Sequence, residues 1–391
     1  MRRRLALILI SILILGAGSA LCQEEAKKAE KEPIRIGGLF ALTGNAMHIG
    51  VPSKNVADMV VEHINKAGGI NGRPIKLFIA DTESNPAKAV AAFKRLVQKD
   101  KVVAVIGPTT TGAGMACLSA IGEAKIPVVG CIGGTPFVEP VEKRYWMFKS
   151  PQKTVTAVER IYTYLQKKGI KRIALLTASD KFGQEGESSL KRLAKKYDLA
   201  ITGQESFDVK AMDMSIQLAK LTMDEKVQAV ICWTVGPAGA RVAKNAGQMK
   251  LTADLFQCHG QPDPIYIKLA GDDANGTFMP GTKLLVAEQL PDSDPQKKLL
   301  LKFRKEYEEE RKFGEVSTHS GYAWDAMQII AQAMKKAGTT DPEKVREAIE
   351  NVKGYVGISG VYNLSPKDHC GLDKDSLVIL TIANGKWKLV E

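Results

Sequence analysis

The sequence predicts an α/β protein made of two doubly wound, parallel-sheet lobes. Three observations carry the two-lobe reading. Short apolar runs alternate with helical patterns along most of the chain, and several runs are apolar at nearly every position, as strands covered on both faces must be. Near residues 145–149 this rhythm pauses and then restarts as a second unit. Of the 391 residues, about 360 follow an N-terminal leader, more than one ordinary core accommodates.

The leader comes first. Met1 precedes Arg2, Arg3 and Arg4, an apolar run at residues 5–15 broken only by Ser11, and small residues from Gly16 to Ala20. A charged start, a short apolar centre and a small-residue exit predict a secretory signal peptide over residues 1–22, cut after Ala20, and hence a periplasmic location. Cys22 offers lipid attachment as an alternative, although Leu21 stands where that processing favours a small residue. The apolar run is shorter than the ~20 residues a membrane span needs. Residues 23–32 (QEEAKKAEKE) carry seven charges and no large apolar side chain, so they read as a solvated linker.

The first unit then unfolds in order. Residues 34–39 read as a strand. Val56, Met59, Val60 and Ile64 recur at helical spacing until Ala67-Gly68-Gly69, and a turn at residues 71–74 leads to a strand at 75–80. Pro86 opens a helix through Gln98, residues 102–106 form a strand, a helix runs to Ala124, and a strand follows at 127–130. The second unit has a helix at 154–168, a strand at 172–177, a helix at 186–197, a strand at 201–207, a helix at 214–223, and strands at 229–233 (AVICW) and 255–258. Two long helical patterns occupy 295–312 and 319–336, with a shorter one at 342–351. The tail reads as strands at 376–382 and 386–390 joined by Asn384-Gly385, a strong hairpin signal.

Composition narrows the function. The formal net charge of +12 falls to +9 once three leader arginines are removed (12 − 3), and the lysines are interleaved with acids on helical stretches. No aromatic-studded basic stripe points to nucleic acid. The six cysteines (Cys22, Cys117, Cys131, Cys232, Cys258, Cys370) form no CxxC pair, and the five histidines are scattered, so neither a disulfide scaffold nor a metal is expected. Residues 107–112 outline a phosphate loop but have Ala113 in place of its lysine. No HExxH or GxSxG occurs. No cofactor is expected, and nothing marks an enzyme.

What the sequence does place at strand ends is glycine and hydroxyl. In a doubly wound sheet, ligands bind beyond the carboxyl ends of the strands. The loops at 41–50, 108–114, 131–136, 179–183, 234–239 and 259–263 are rich in Gly, Thr and Ser. Hydroxyls and free N–H groups at helix starts hold small anions; equally, they cap helices. Thr110, Thr111, Gly133, Gly134 and Thr135 are the candidates for ligand contact.

These same loops resemble the type I periplasmic binding proteins of the leucine/isoleucine/valine-binding family. The marks are IRIGGLFALTG (34–44), INKAGGINGRPIKL (64–77), VAVIGPTTTG (103–112), IPVVG (126–130), KRIALLTASDKFGQEG (171–186) and GVYNLSPKDHCGL (360–372). The resemblance runs from Ile34 to the C-terminus. It implies two lobes, residues 33–150 plus 281–358 and residues 151–280 plus 359–391, with crossovers near 149–154, 278–282 and 358–363. It further implies hinge closure on a small-molecule ligand and delivery to the permease subunits of an ABC importer. The family's carboxylate-binding hydroxyl falls on Thr111, its loop of backbone donors on Gly133, Gly134 and Thr135, and its covering aromatic on Phe182.

The chain departs from that pattern in one loop. Where amino-acid binders place a carboxylate for the ligand ammonium, this chain reads Cys258-His259-Gly260-Gln261-Pro262. A buried ammonium without a counter-charge is costly. Residues 133–152 and 257–271 are similar to the branch of the family associated with aromatic and other non-amino acids. An aromatic carboxylate is therefore the expected ligand, with Phe182, Trp233, His48 and His259 near it, Trp233 reading equally well as core. A branched-chain amino acid is the alternative ligand, and a ligand-sensing subunit of a membrane signalling system the alternative role.

Overall fold

The computed structural model describes residues 32–391; the predicted signal peptide at 1–22, the lipid site at Cys22 and the linker up to residue 31 lie outside them. In the first lobe, β1 (Ile34–Phe40), β2 (Ile75–Asp81), β3 (Ala104–Ile106), β4 (Val128–Gly130) and β5 (Met147–Lys149) form a parallel sheet in the order β2-β1-β3-β4-β5. β3 and β4 are buried at every position, whereas β2, at the edge, exposes Lys76. That difference is why the central strands read as continuous apolar runs.

The second lobe contains β6 (Arg172–Ala178), β7 (Ala200–Phe207), β8 (Ala229–Trp233), β9 (Asp254–Gln257) and β10 (Phe278–Gly281). A small antiparallel pair, β11 (Tyr355–Val356) and β12 (Val361–Tyr362), lies apart from both sheets. The tail adds β13 (Val378–Ala383) and β14 (Lys386–Leu389), giving the order β14-β13-β10-β9-β8-β6-β7. β13 and β14 are antiparallel, so this sheet is parallel only as far as β10. Asn384 and Gly385 both have positive φ (52° and 70°), the geometry of a tight hairpin turn.

Local signals set the helix ends. Asn85 accepts hydrogen bonds from the amides of Ala87 and Lys88, with Pro86 at the first helical position, and Ala89, Phe93 and Leu96 bury one face. At the end of helix Met47–Lys66, Gly68 and Gly69 take φ of 94° and 75°, which L side chains adopt only at a cost. A methyl on Gly69 would run into the Arg73 carbonyl, whereas one on Gly68 meets open space. Gly69→Ala is therefore expected to lower unfolding free energy by about 2 kcal/mol or more, and Gly68→Ala by about 1. Urea denaturation of the two variants checks the order; equal losses would show that the Arg73 contact does not matter.

Besides helices at Pro237–Gln248 and Pro264–Ala270 and strand β10, none of which the sequence reading placed, the structure departs from expectation at three points. The pause at 145–149 is β5, a three-residue strand too short to show periodicity. Helix Met47–Lys66 begins nine residues before Val56, through Gly50 and Pro52. Helix Lys181–Ala194 begins at the Asp180 cap rather than at Gly186.

Between the sheets the chain passes through residues 150–153, after β10, and beyond β12. These passages share one buried polar network. Gln152 donates to the Ser359 carbonyl (2.7 Å), Thr318 and Thr282 join their hydroxyls at 3.2 Å, and Tyr362 donates to the Ser150 carbonyl (2.6 Å). Asp325 accepts from the amides of Ile358 (2.8 Å) and Ser359 (2.7 Å). Among the described residues no helix is long and apolar enough to cross a membrane.

Candidate functional site

Strand order places the site. In the first sheet β1 and β3 lie side by side, so the helices after them leave on opposite faces and their loops part; β6 and β8 do the same in the second. A cleft of about 630 Å³ opens there. From the first lobe Asn45, His48, Thr109–Gly112 and Gly133 line it; from the second, Ser179–Phe182, Val235, Pro237, His259 and Gly260.

The lobes touch across this cleft. A Cβ built on Gly133 would stand 2.8 Å from His259 Nε2 and 2.9 Å from Phe182, both from the opposite lobe. One built on Gly236 would meet the His48 ring at 2.6 Å. Helix Thr111–Ala124 also packs on helix Lys181–Ala194, one from each lobe.

The three consecutive threonines do different work. Thr109 accepts from the Ala41 amide (3.1 Å), Thr110 caps its helix through the Ala113 amide (3.4 Å), and Thr111 accepts from the Gly134 amide (3.3 Å). In that bond the Thr111 oxygen is the acceptor, so its proton remains to be donated to a ligand. The carbonyl of Gly133 is held by Lys149, whose fully buried ammonium donates to Gly133 (2.5 Å) and Gln152 (3.0 Å). Burial lowers the Lys149 pKa to about 8.

Of the nine candidate residues, His48, Thr110, Thr111, Gly133, Phe182 and His259 line the cleft and three do not. Gly134 lies behind Thr111 and supplies structure through its amide. Thr135 starts a short turn (Thr135–Phe137) that faces a different cavity, of about 800 Å³, with Glu185 and Arg346. Trp233 is fully buried beneath Phe182, its ring 6.0 Å away, and is core rather than cleft wall.

Sequence reasoning missed Lys149, Arg241, His319 and Tyr322. Arg241 is anchored by the carbonyls of Val209 (2.7 Å) and Ala211 (2.8 Å) and lines the cleft. His319 and Tyr322 come from the start of helix Thr318–Ala337, which no strand-end argument singles out.

The sequence signature described as "Periplasmic binding protein" matches residues 33–379. The chain belongs to the periplasmic binding protein family. The family implies a periplasmic location. Among curated relatives, a "Leu/Ile/Val-binding protein homolog 1" of Brucella abortus is 24% identical over 335 residues, 84% of this chain and 85% of its own. A "Leucine-, isoleucine-, valine-, threonine-, and alanine-binding protein" of Pseudomonas aeruginosa is 24% identical over 86% of this chain and 87% of its own. An extracellular ligand-binding receptor from Rhodopseudomonas palustris HaA2 superposes with a TM-score of 0.84 at 25% identity, covering 92% of this chain and all of that one. The relatives are binding proteins, and the two-lobe fold of this chain is theirs.

Proposed function

We propose that this protein is the solute receptor of an ABC importer, that it performs no covalent chemistry, and that it captures an organic acid with an aromatic body. The two lobes, residues 33–150 plus 281–358 and 151–280 plus 359–391, close on the ligand about the buried hinge. Closure is stabilised only by contacts the ligand makes to both lobes.

The charge of the cleft wall carries the choice of ligand. Among the described residues lining it, the one carboxylate is Asp180, and its Oδ1 already accepts from the Gly183 amide at 2.8 Å. Lys181, Lys210 and Arg241 stand against it. Such a wall favours an anion over a zwitterion. Thr111 and the Gly133 loop supply the carboxylate end, and Phe182 and Tyr322 the apolar sides.

The relatives' names support a second ligand reading, a branched-chain amino acid, with Asp180 as the carboxylate left to meet its ammonium. A thermal-shift screen of aromatic acids, aliphatic acids and amino acids separates the two, because a specific binder raises the melting temperature by mass action. A shift with aromatic acids and none with leucine is expected; the reverse overturns the aromatic reading. Thr111→Ala is expected to weaken the hit about tenfold while costing under about 1 kcal/mol of stability, since the bond it removes is long. Isothermal titration and urea unfolding measure the two. Unchanged affinity would remove Thr111 from the site.

A further inference from the structure

The cleft contains three histidines from three separate elements. His48 follows β1, His259 follows β9, and His319 begins helix Thr318–Ala337. The rings of His48 and His319 lie 6.1 Å apart. His259 sits against Phe182 at 5.6 Å and Trp233 at 5.5 Å, facing Gly133 of the other lobe.

Their nitrogens lack partners. His48 Nε2, both ring nitrogens of His259, and His319 Nε2 are buried with no protein hydrogen bond. Leaving such atoms unpaired costs free energy, which a ligand that bonds to them recovers. His48 Nδ1 lies 3.1 Å from the Asn45 carbonyl and must be the protonated nitrogen. In its neutral form Nε2 is then a bare acceptor, and it becomes a donor only when the ring gains a second proton.

A metal does not explain the cluster: among the described residues no group of three His, Cys, Asp or Glu is placed to hold one. Fixed charge points instead to anions. Lys181, Lys210 and Arg241 outnumber Asp180 on the wall, so a single ligand carboxylate leaves the cleft cationic.

Resting on the aromatic-acid reading above, we propose that the ligand carries two anionic groups. One carboxylate sits at Thr111 and Gly133 with His259 across from it. The second acidic group sits at His48 and His319, and the histidines take up protons as it binds.

The surroundings of each ring support this. His259 faces Phe182, Trp233 and the nearby charge of Lys149; burial and that charge lower its pKa to about 3. His319 faces His48, His259, Tyr322 and the Gly260 carbonyl, and burial followed by the two histidines lowers it to about 3. His48 faces His319 and Gly236, and burial lowers it to about 4 against the opposing Asn45 carbonyl. Without an anion beside them, all three are neutral at pH 7. A nearby anion raises each pKa, so binding takes up protons and affinity rises as pH falls from neutral toward about 4.

The test compares benzoate, the three benzenedicarboxylates and leucine by isothermal titration, in buffers of different ionisation enthalpy, near pH 8 and near pH 5.5, where most ligand carboxylates remain ionised. Expected is a dicarboxylate that binds about tenfold tighter than benzoate, with measurable proton uptake and a further gain of about tenfold at the lower pH. His48→Gln and His319→Gln should each reduce that pH-dependent gain. Benzoate binding as tightly as every dicarboxylate, without proton uptake, overturns this inference and leaves the aromatic-acid reading standing. Leucine binding with no aromatic acid overturns both. The wild-type measurement decides even if a variant fails to fold.

Discussion

Replacing Gly133 with alanine is expected to weaken ligand binding about 100-fold, near 2.7 kcal/mol, with little change in the stability of the unliganded protein. The added methyl would lie 2.8 Å from His259 Nε2 and 2.9 Å from Phe182, both across the cleft. Neither neighbour has room to yield: His259 is 2% and Phe182 7% exposed, each backed by Trp233. Gly133 cannot retreat either, because the buried Lys149 ammonium holds its carbonyl. Only opening of the hinge relieves the overlap, and opening separates the ligand from one of its two walls. The closed complex should therefore lose residence time, so the effect falls mainly on dissociation. Gly134→Ala is the control. Its methyl would meet Thr111 Cγ2 at 2.6 Å within one lobe, a collision that opening does not relieve, so that variant should lose stability as well as affinity. Titration with the ligand found by screening, and solution scattering for ligand-induced compaction, read the outcome. Undiminished affinity in Gly133→Ala would mean that this contact is not part of the liganded state.

The fold was legible in the sequence wherever a strand is buried on both faces. AVI in β3 and AVICW in β8 admit no polar residue, so strand and apolar run coincide. β5 escaped because MFK ends in a lysine whose charge is satisfied by the carbonyls of Gly133 and Gln152, partners that only the folded chain brings near. Helix Lys181–Ala194 escaped at its start because Gly183 and Gly186 are poor helix formers, present where a side chain would strike Ala178 and Trp233.

The site was legible at the level of loops and not of atoms. All six Gly-, Thr- and Ser-rich loops reach the cleft, as the strand order of a doubly wound sheet requires. Which threonine faces the ligand is a matter of single hydrogen bonds, and composition carries no record of them. His319 lies 60 residues beyond His259 in sequence (319 − 259) and comes near it only in the folded chain, so scattered histidines concealed a cluster.

The hinge yields the largest effect on stability. Asp325 is fully buried and accepts from the amides of Ile358 and Ser359, so Asp325→Ala orphans two buried N–H groups and opens a cavity. The expected loss is about 3–5 kcal/mol. The surroundings of this carboxyl also make stability depend on pH. Tyr362 has one hydroxyl proton and lies 2.6 Å from the Ser150 carbonyl but 3.0 Å from Asp325 Oδ2. With its proton given to Ser150, the Tyr362 oxygen becomes an acceptor, which a protonated carboxyl satisfies by donating. Burial raises the Asp325 pKa to about 6, against the hydrogen bonds from Ser359 and the Ile358 amide. The folded state holds this proton more tightly than the unfolded chain does. Its contribution is complete below about pH 4 and is lost as pH rises through about 6, roughly 3 kcal/mol in all. Asp263, also raised to about 6 by burial, acts in the same direction, whereas the three cleft histidines, held neutral, lose stability as pH falls below about 6.5. The bare pH profile therefore mixes opposing signs, and the difference between wild type and Asp325→Asn isolates the one carboxyl. Asparagine keeps one acceptor and cannot titrate, so its deficit relative to wild type should shrink by about 2 kcal/mol between pH 4.5 and pH 7.5 in denaturant unfolding. A deficit that stays constant across that range would mean that Asp325 is already ionised at the lower pH, and that the hinge is built on a carboxylate.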